Sequence, residues 1–218
     1  MYNLHCHTLL SDGCLLPSEV AMRYLSAGYR AIAITDHADY SNIDSVVSAA
    51  LRFCLHWPKS VPIRVLPGVE LTHLPPQQFA PLARYCRKQG IKVIIAHGQT
   101  VCEPVIKGTN LAALEADIDI LAHPGFIADS EVRIAAKKKI FLEVTSRKGH
   151  SSTNDYVVER ALKFKAPLIL NNDSHSPEDI ITPAQLIHIG RKAGLLQKEI
   201  TRIFCETESF IKKREGRQ

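Results

Sequence analysis

Six of the ten histidines in this chain fall in short groups that also carry a second histidine, an aspartate or a glycine. These groups are His5-Cys6-His7, Asp36-His37, Ala96-His97-Gly98, His123-Pro124-Gly125 and Asn172-Asp173-Ser174-His175, with Asp12-Gly13, Glu70 and Glu143 between them. His5 and His7 are two apart, so on a strand both imidazoles project to one face, and Asp173 and His175 repeat that spacing. The proline after His123 biases that residue toward extended backbone, which suits a ligand at a strand end. Imidazole and carboxylate without thiolate suit Zn²⁺, Mn²⁺ or Fe²⁺. One zinc takes about four ligands. The nine candidates His5, His7, Asp12, His37, Glu70, His97, His123, Asp173 and His175 therefore imply two to three divalent ions. Neighbouring ions need a bridge with two oxygens, and Glu70 is the candidate. Such a cluster activates water toward an electrophile and offsets charge on the leaving group.

The elements that must position these residues follow from short apolar runs at 2–7, 31–35, 63–71, 91–96, 118–122, 140–145 and 167–171. Most are rich in Ile and Val, as strands buried on both faces are. Their starts lie 22 to 32 residues apart, room for one strand and one crossover helix. Helices are expected from Pro17 to Gly28, from Ser41 or Asn42 through Leu51, and over 81–88, 111–116, 130–138 and 155–164. Ser176-Pro177-Glu178-Asp179 reads as a further helix start, with helix from there to the end. Each expected strand carries a candidate ligand or carboxylate at or near its C-terminal end. A ring of that kind is how a β/α barrel builds a site, whereas an open sheet gathers residues only at its switch point.

The 218 residues carry a net charge of +5, with 45% apolar and 22% charged residues, which fits one globular domain over 1–218. No apolar run is long enough for a membrane helix, and Met1-Tyr2-Asn3-Leu4 has no signal-peptide character. Cys6, Cys14, Cys54, Cys86, Cys102 and Cys205 form no C-x-x-C pair and read as reduced thiols of a cytoplasmic protein. The excess positive charge gathers at Lys137–Lys139 and at Lys212, Lys213, Arg214 and Arg217 and reads as solvated helix faces. With 6% aromatics, this argues against nucleic acid as a partner and leaves a small phosphorylated substrate.

The motifs His5-Cys6-His7-Thr8, Ser11-Asp12-Gly13, Thr35-Asp36-His37, Gly68-Val69-Glu70, Ala96-His97-Gly98, His123-Pro124-Gly125 and Asn172-Asp173-Ser174-His175 resemble, in order, those of the PHP (polymerase and histidinol phosphatase) family. The resemblance implies a distorted (β/α)₇ barrel with a trinuclear centre at the C-terminal ends of its strands. It implies one ion on His5, His7, Glu70 and Asp173, a second on Glu70, His97 and His123, and a third on Asp12, His37 and His175. Glu70, Asp173 and His175 are then expected to be catalytic. Arg147 and Lys148, after the sixth strand, are candidates for holding a phosphate. Asp36 reads as a carboxylate behind a ligand histidine or as a loop cap, Glu143 as a carboxylate behind a ligand or a structural one, with direct ligation the lesser alternative, and His56, His73, His150 and His188 as structural or surface residues. Cys6 should point away from the ligands, toward the helix layer.

The function expected is a metal-dependent phosphatase acting on a small phosphomonoester. A nuclease or nucleotide phosphodiesterase, and a non-catalytic metal-stabilised scaffold, are the alternatives. A metallo-amidohydrolase also begins with H-x-H but would need a bridging lysine at a mid-barrel strand end. No lysine occupies such a position.

Overall fold

A computed structural model of the chain describes residues 1–216, so Arg217 of the C-terminal basic group lies outside the described residues. The strands are β1 (Tyr2–Asn3), β2 (Ala31–Ile34), β3 (His37–Ala38), β4 (Arg64–Leu71), β5 (Val93–His97), β6 (Ile120–Ala122), β7 (Phe141–Thr145) and β8 (Leu168–Asn171). The helices are α1 (Pro17–Ser26), α2 (Ile43–His56), α3 (Phe79–Gln89), α4 (Thr109–Glu115), α5 (Asp129–Lys138), α6 (Asn154–Phe164), α7 (Pro183–Lys192) and α8 (Gln197–Glu215). None among the described residues is long and apolar enough to cross a membrane.

All strand pairs are parallel, in the order β1-β2-β4-β5-β6-β7-β8, and the two-residue β3 pairs with the end of β4. The ring closes beyond the named strands. His7 donates its N–H to Ser174 O at 2.8 Å, Asp173 donates to His5 O at 3.0 Å, and Cys6 bridges Ser174 in parallel. The result is a nearly closed seven-stranded parallel barrel with flanking helices, a distorted (β/α)₇ barrel.

Side-chain alternation divides the core in two. Leu66, Val93, Ile95, Ile120, Phe141 and Ile169 fill the barrel interior, where Ile211 of α8 joins them. Ile32, Ile34, Val69, Ile94, Leu121, Leu142 and Leu170 face the helices. The α8 helix closes the lower end of the barrel. Asp119, just before β6, accepts hydrogen bonds there from Arg214 of α8, from Arg87 and from the Ile94 N–H.

Two expectations need correction. The chain from Ser176 does not continue as helix: Pro177–Asp179 is one short 3₁₀ turn, because the Asp179 carboxylate folds back onto the N–H groups of His175 and Ser176. Helix resumes at Pro183, where Thr182 and Gln185 cap each other, and breaks again at Gly194 (φ 99°) before α8. The first strand is also shorter than expected, with regular pairing ending at Asn3. Leu4 donates its N–H to the Asn171 side chain, and Asn3 ties the His5 carbonyl to the Tyr24 hydroxyl and takes the Asn172 N–H.

Candidate metal centre

The break after Asn3 decides where the first histidines point. Tyr2 and Leu4 belong to the barrel interior, so strict alternation would send His5 outward and Cys6 inward. The pleat slips at Leu4–His5 instead. His5 and His7 turn to the barrel axis, and Cys6 packs with the helix-facing core, its Sγ donating to Ala33 O at 3.1 Å. Glu70, His97 and Glu143 reach the same axis by ordinary alternation from Leu66, Ile95 and Phe141. His123 would alternate outward after Leu121, and a φ of 28° turns it in. Asp173 also has positive φ, 53°. Such backbone costs a non-glycine residue about 1–3 kcal/mol and is held only where surrounding structure imposes it.

Glu70 is the hub, completely buried. Its Oε1 lies 3.4 Å from His5 Nε2 and 3.7 Å from His123 Nε2. Its Oε2 lies 3.6 Å from His7 Nε2 and 2.7 Å from His37 Nδ1. Asp173 Oδ1 lies 3.5 Å from His5 Nε2 and 3.3 Å from His7 Nε2, and Oδ2 is 3.7 Å from His123 Nε2. Most of these gaps are too long for good hydrogen bonds. They match two donors on one tetrahedral ion, which at metal–nitrogen bonds of ~2.05 Å stand about 3.3 Å apart. His5 Nε2, both nitrogens of His7, and Glu70 Oε1 are buried with no hydrogen-bond partner. Unpartnered donors and acceptors at such depth are costly unless something else binds them. The residues therefore fit divalent cations.

Glu143 sets the tautomer. Its Oε1 accepts from His5 Nδ1 at 2.7 Å and from Asn171 Nδ2 at 2.9 Å, and its Oε2 takes the His123 N–H at 3.2 Å. His5 therefore presents the Nε2 lone pair to Glu70 and Asp173. The second carboxylate in question, Asp36, does something else. It accepts from the Thr8 N–H, the Thr8 hydroxyl and the Ser11 hydroxyl, and so caps the loop that carries Asp12. Gly13 lets that loop lie on the strand end, since a Cβ there would meet the His7 carbonyl carbon at 2.6 Å.

Asp12 stands at the mouth. Its oxygens lie 3.3 Å from His175 Nε2, 3.5 Å from His37 Nε2 and 3.9 Å from His7 Nδ1. His7, Asp12, His37 and His175 thus form one group able to hold an ion, with His7 added to the expected three. Two other such groups are His5, His7, Glu70 and His5, His123, Asp173. His97 departs from expectation. Its Nδ1 donates to Gly98 O at 3.0 Å and its Nε2 faces Glu103 Oε2 at 2.9 Å, so it groups with His73 and Glu103 rather than with Glu70. The His97 ring still stands 4.4 Å from that of His123.

The electrostatics show a surplus of buried negative charge. Burial, together with Glu70 and Glu143, pushes the Asp173 carboxyl up to about 6 against the pull of His5. Burial would also raise Glu70, but His5 and His37 outweigh it and hold that carboxyl well below the usual range. Burial would lower His37, but Glu70 and Asp12 lift it to about 10. Three carboxylates sealed within one ring of imidazoles are what a cation cluster neutralises.

Above the cluster lies a cavity of about 440 Å³ lined by Asp12, His37, Asn42, Thr72, His73, His97, Glu103, His123, Arg147, His150, Asp173 and His175. Arg147 reaches over the floor, Nη1 donating to Asp173 O at 3.3 Å. Lys148 is exposed and is not among the lining residues. Glu103 was not among the sequence candidates, and His73 and His150, expected to be structural or surface residues, line the cavity instead. Glu103 Oε2 is 3.2 Å from His73 Nε2, and Glu103 Oε1 is 3.3 Å from His150 Nε2. His73 and Glu103 sit in irregular loops and His150 opens a short 3₁₀ turn, so no strand periodicity marks them. Their nearness in sequence to Glu70, His97 and Arg147 was the available signal.

Comparison with known proteins adds three relatives. An uncharacterised protein of Methanocaldococcus jannaschii, MJ1295, is 41% identical over 204 residues, 91% of this chain and 92% of its own. The DNA polymerase/3'-5' exonuclease PolX of Bacillus subtilis is 23% identical over 97% of this chain, which spans 41% of that protein. Ribonuclease P protein component 3 of Methanosarcina mazei is 26% identical over 89% of this chain and 81% of its own. Two of these names concern nucleic acid, and that overturns the expectation that nucleic acid is not a partner. Net charge and aromatic content average over the whole surface, whereas a phosphate backbone meets one site. The PHP domain matches residues 3–139, and with the ring of histidines and carboxylates now in view the chain belongs to the PHP domain family.

Proposed function

We propose that this chain is a metal-dependent phosphoester hydrolase whose substrates are nucleic-acid or nucleotide phosphodiesters. The observation that carries the reading is the convergence of unpartnered His5, His7 and Glu70 atoms on one buried point beneath an open cavity. Relatives named as a polymerase/exonuclease and a ribonuclease component support the substrate class. Divalent cations held by His5, His7 and Glu70, by His5, His123 and Asp173, and by His7, Asp12, His37 and His175 would supply activated water and charge neutralisation at phosphate.

The chain's own residues then have separable tasks. Glu143 and Asn171 hold His5 in one orientation, so the floor is arranged before substrate arrives. Asp12, His37 and His175 stand at the solvent side, where a phosphate would enter. Arg147, partly exposed and hydrogen-bonded to the Asp173 backbone, would pair with a non-bridging phosphate oxygen. A second reading, hydrolysis of small phosphomonoesters, is supported by the size of the cavity, ample for one small phosphorylated molecule.

The test is a paired assay of one metal-loaded preparation. Short RNA and DNA oligonucleotides and dinucleotide diesters are offered beside small monoesters, with and without chelator. Chelator-sensitive cleavage of diesters, with monoesters slow, is expected. Phosphate release from monoesters alone would replace the first reading with the second, and inertness toward every ester would leave a scaffold.

A further inference from the structure

The rim of the cavity holds a donor set outside the nine residues discussed above. Cys102, Glu103 and His150 present a thiol, a carboxylate and an imidazole whose donor atoms all lie within 4.8 Å of one another. Cys102 Sγ stands 3.2 Å from His150 Nδ1 and Glu103 Oε1 stands 3.3 Å from His150 Nε2, on opposite edges of the ring, so an ion shared by all three would take one nitrogen and draw the exposed side chain at the other edge toward it. Two loops must meet to build the set, the one after β5 and the one after β7. Their junction is close. Thr100 Oγ1 lies 2.7 Å from His150 Nδ1, and a Cβ at Gly149 (φ 91°) would come within 3.3 Å of Cys102 Sγ. His150 is buried, while Cys102 and Glu103 are exposed, so the set is anchored from inside and open to solvent.

We propose that Cys102, Glu103 and His150 form an additional divalent-cation site, selective for zinc-like ions over magnesium or calcium. A thiolate beside an imidazole prefers a borderline-soft ion, and three protein donors leave a coordination position open. Glu103 gives the site a link inward. Its other oxygen, Oε2, lies 2.9 Å from His97 Nε2, so one carboxylate spans the rim position and a member of the buried cluster. Occupation of the rim would draw Glu103 toward Cys102 and His150 and free His97 for Glu70 and His123.

Cobalt substitution tests this without any hydrolysis assay. A thiolate bound to Co²⁺ produces an intense near-ultraviolet charge-transfer band, and none of the nine inner residues is a cysteine. The full chain, purified reduced from cobalt-supplemented growth, is expected to show the band and to lose it on adding Zn²⁺. Cys102→Ser should abolish the band and lower bound cobalt by one ion per chain, with unchanged circular dichroism. His150→Asn should weaken cobalt binding at this site by at least about 10-fold, since removing a ligand costs no less than removing an outer partner. Glu70→Gln should leave the band in place, which separates this site from the inner cluster. Absence of the band in the wild-type chain, or its survival in Cys102→Ser, overturns the proposal.

Discussion

The floor and the mouth of the site use the same residue types in opposite settings. On the floor, His5, His7, Glu70 and Glu143 are sealed from water, and the buried pair Glu143 and Asn171 fixes the orientation of His5. At the mouth, Asp12 is more than half exposed, and His37, His175 and Glu103 are reached from solvent through loops. The floor is a fixed frame whose charge cannot be met by water. Toward the mouth the pairing departs from the expected one, since His97 faces the exposed Glu103 instead of Glu70. The difference teaches that ion affinity should be set below and substrate access above.

The sharpest break of that contrast is Glu70→Gln. It removes a charge from between the imidazoles at nearly constant volume. Phosphoester hydrolysis should fall by at least about 100-fold, because even partners behind the ligands are worth 10–100-fold. Circular dichroism should barely move, and near wild-type turnover would show that Glu70 bridges nothing. Next is Glu143→Gln, which keeps the shape but disturbs the hydrogen bond that aligns His5. Metal affinity, read by titration against a competing chelator, should weaken about 10- to 100-fold. Equal affinity would mean that His5 needs no partner behind it.

A mouth substitution should do less. Asp12→Asn is expected to lower hydrolysis about 10-fold and release one ion per chain while the floor ions stay, as elemental analysis would report. Loss of every ion would erase the distinction between floor and mouth. Removing all cations measures the frame as a whole. Ions present at about 100 times their dissociation constant add about 2.7 kcal/mol. Chelation should therefore lower the melting temperature by roughly 5–10 °C for a chain of this size. A melting curve indifferent to chelator would argue against any tight site. The smallest effect is expected of Arg147→Ala, which should raise KM several-fold with kcat little changed if the guanidinium only holds substrate.

Much of this was legible in the chain itself. The seven runs rich in Ile and Val at regular spacing required parallel β/α units, and a candidate ligand near each strand end required a barrel rather than an open sheet. Among the nine candidate ligands, alternation carries Glu70 and His97 inward, as it does Glu143, by the same rule that buries Leu66, Ile95 and Phe141. The chain past Ser176 was harder, because a capping signal can close a single turn as well as open a helix. Asp179 closed the turn.

What the sequence determined by itself, then, is the inventory: which donors exist, in which order, and that a parallel barrel gathers them at one end. Tertiary structure alone decided how they are shared. The slip of the pleat at Leu4–His5 is held by Asn3 and Asn171, the latter more than 160 residues away from Leu4, and no local propensity encodes it. The inward turn of His123 depends on a strained φ imposed by its surroundings, with Glu143 taking its N–H. Glu103 enters the site only because two loops meet above the barrel. Local pattern reports which face of an element a side chain occupies, but the partner of a buried charge is set by whatever else the fold seals in beside it.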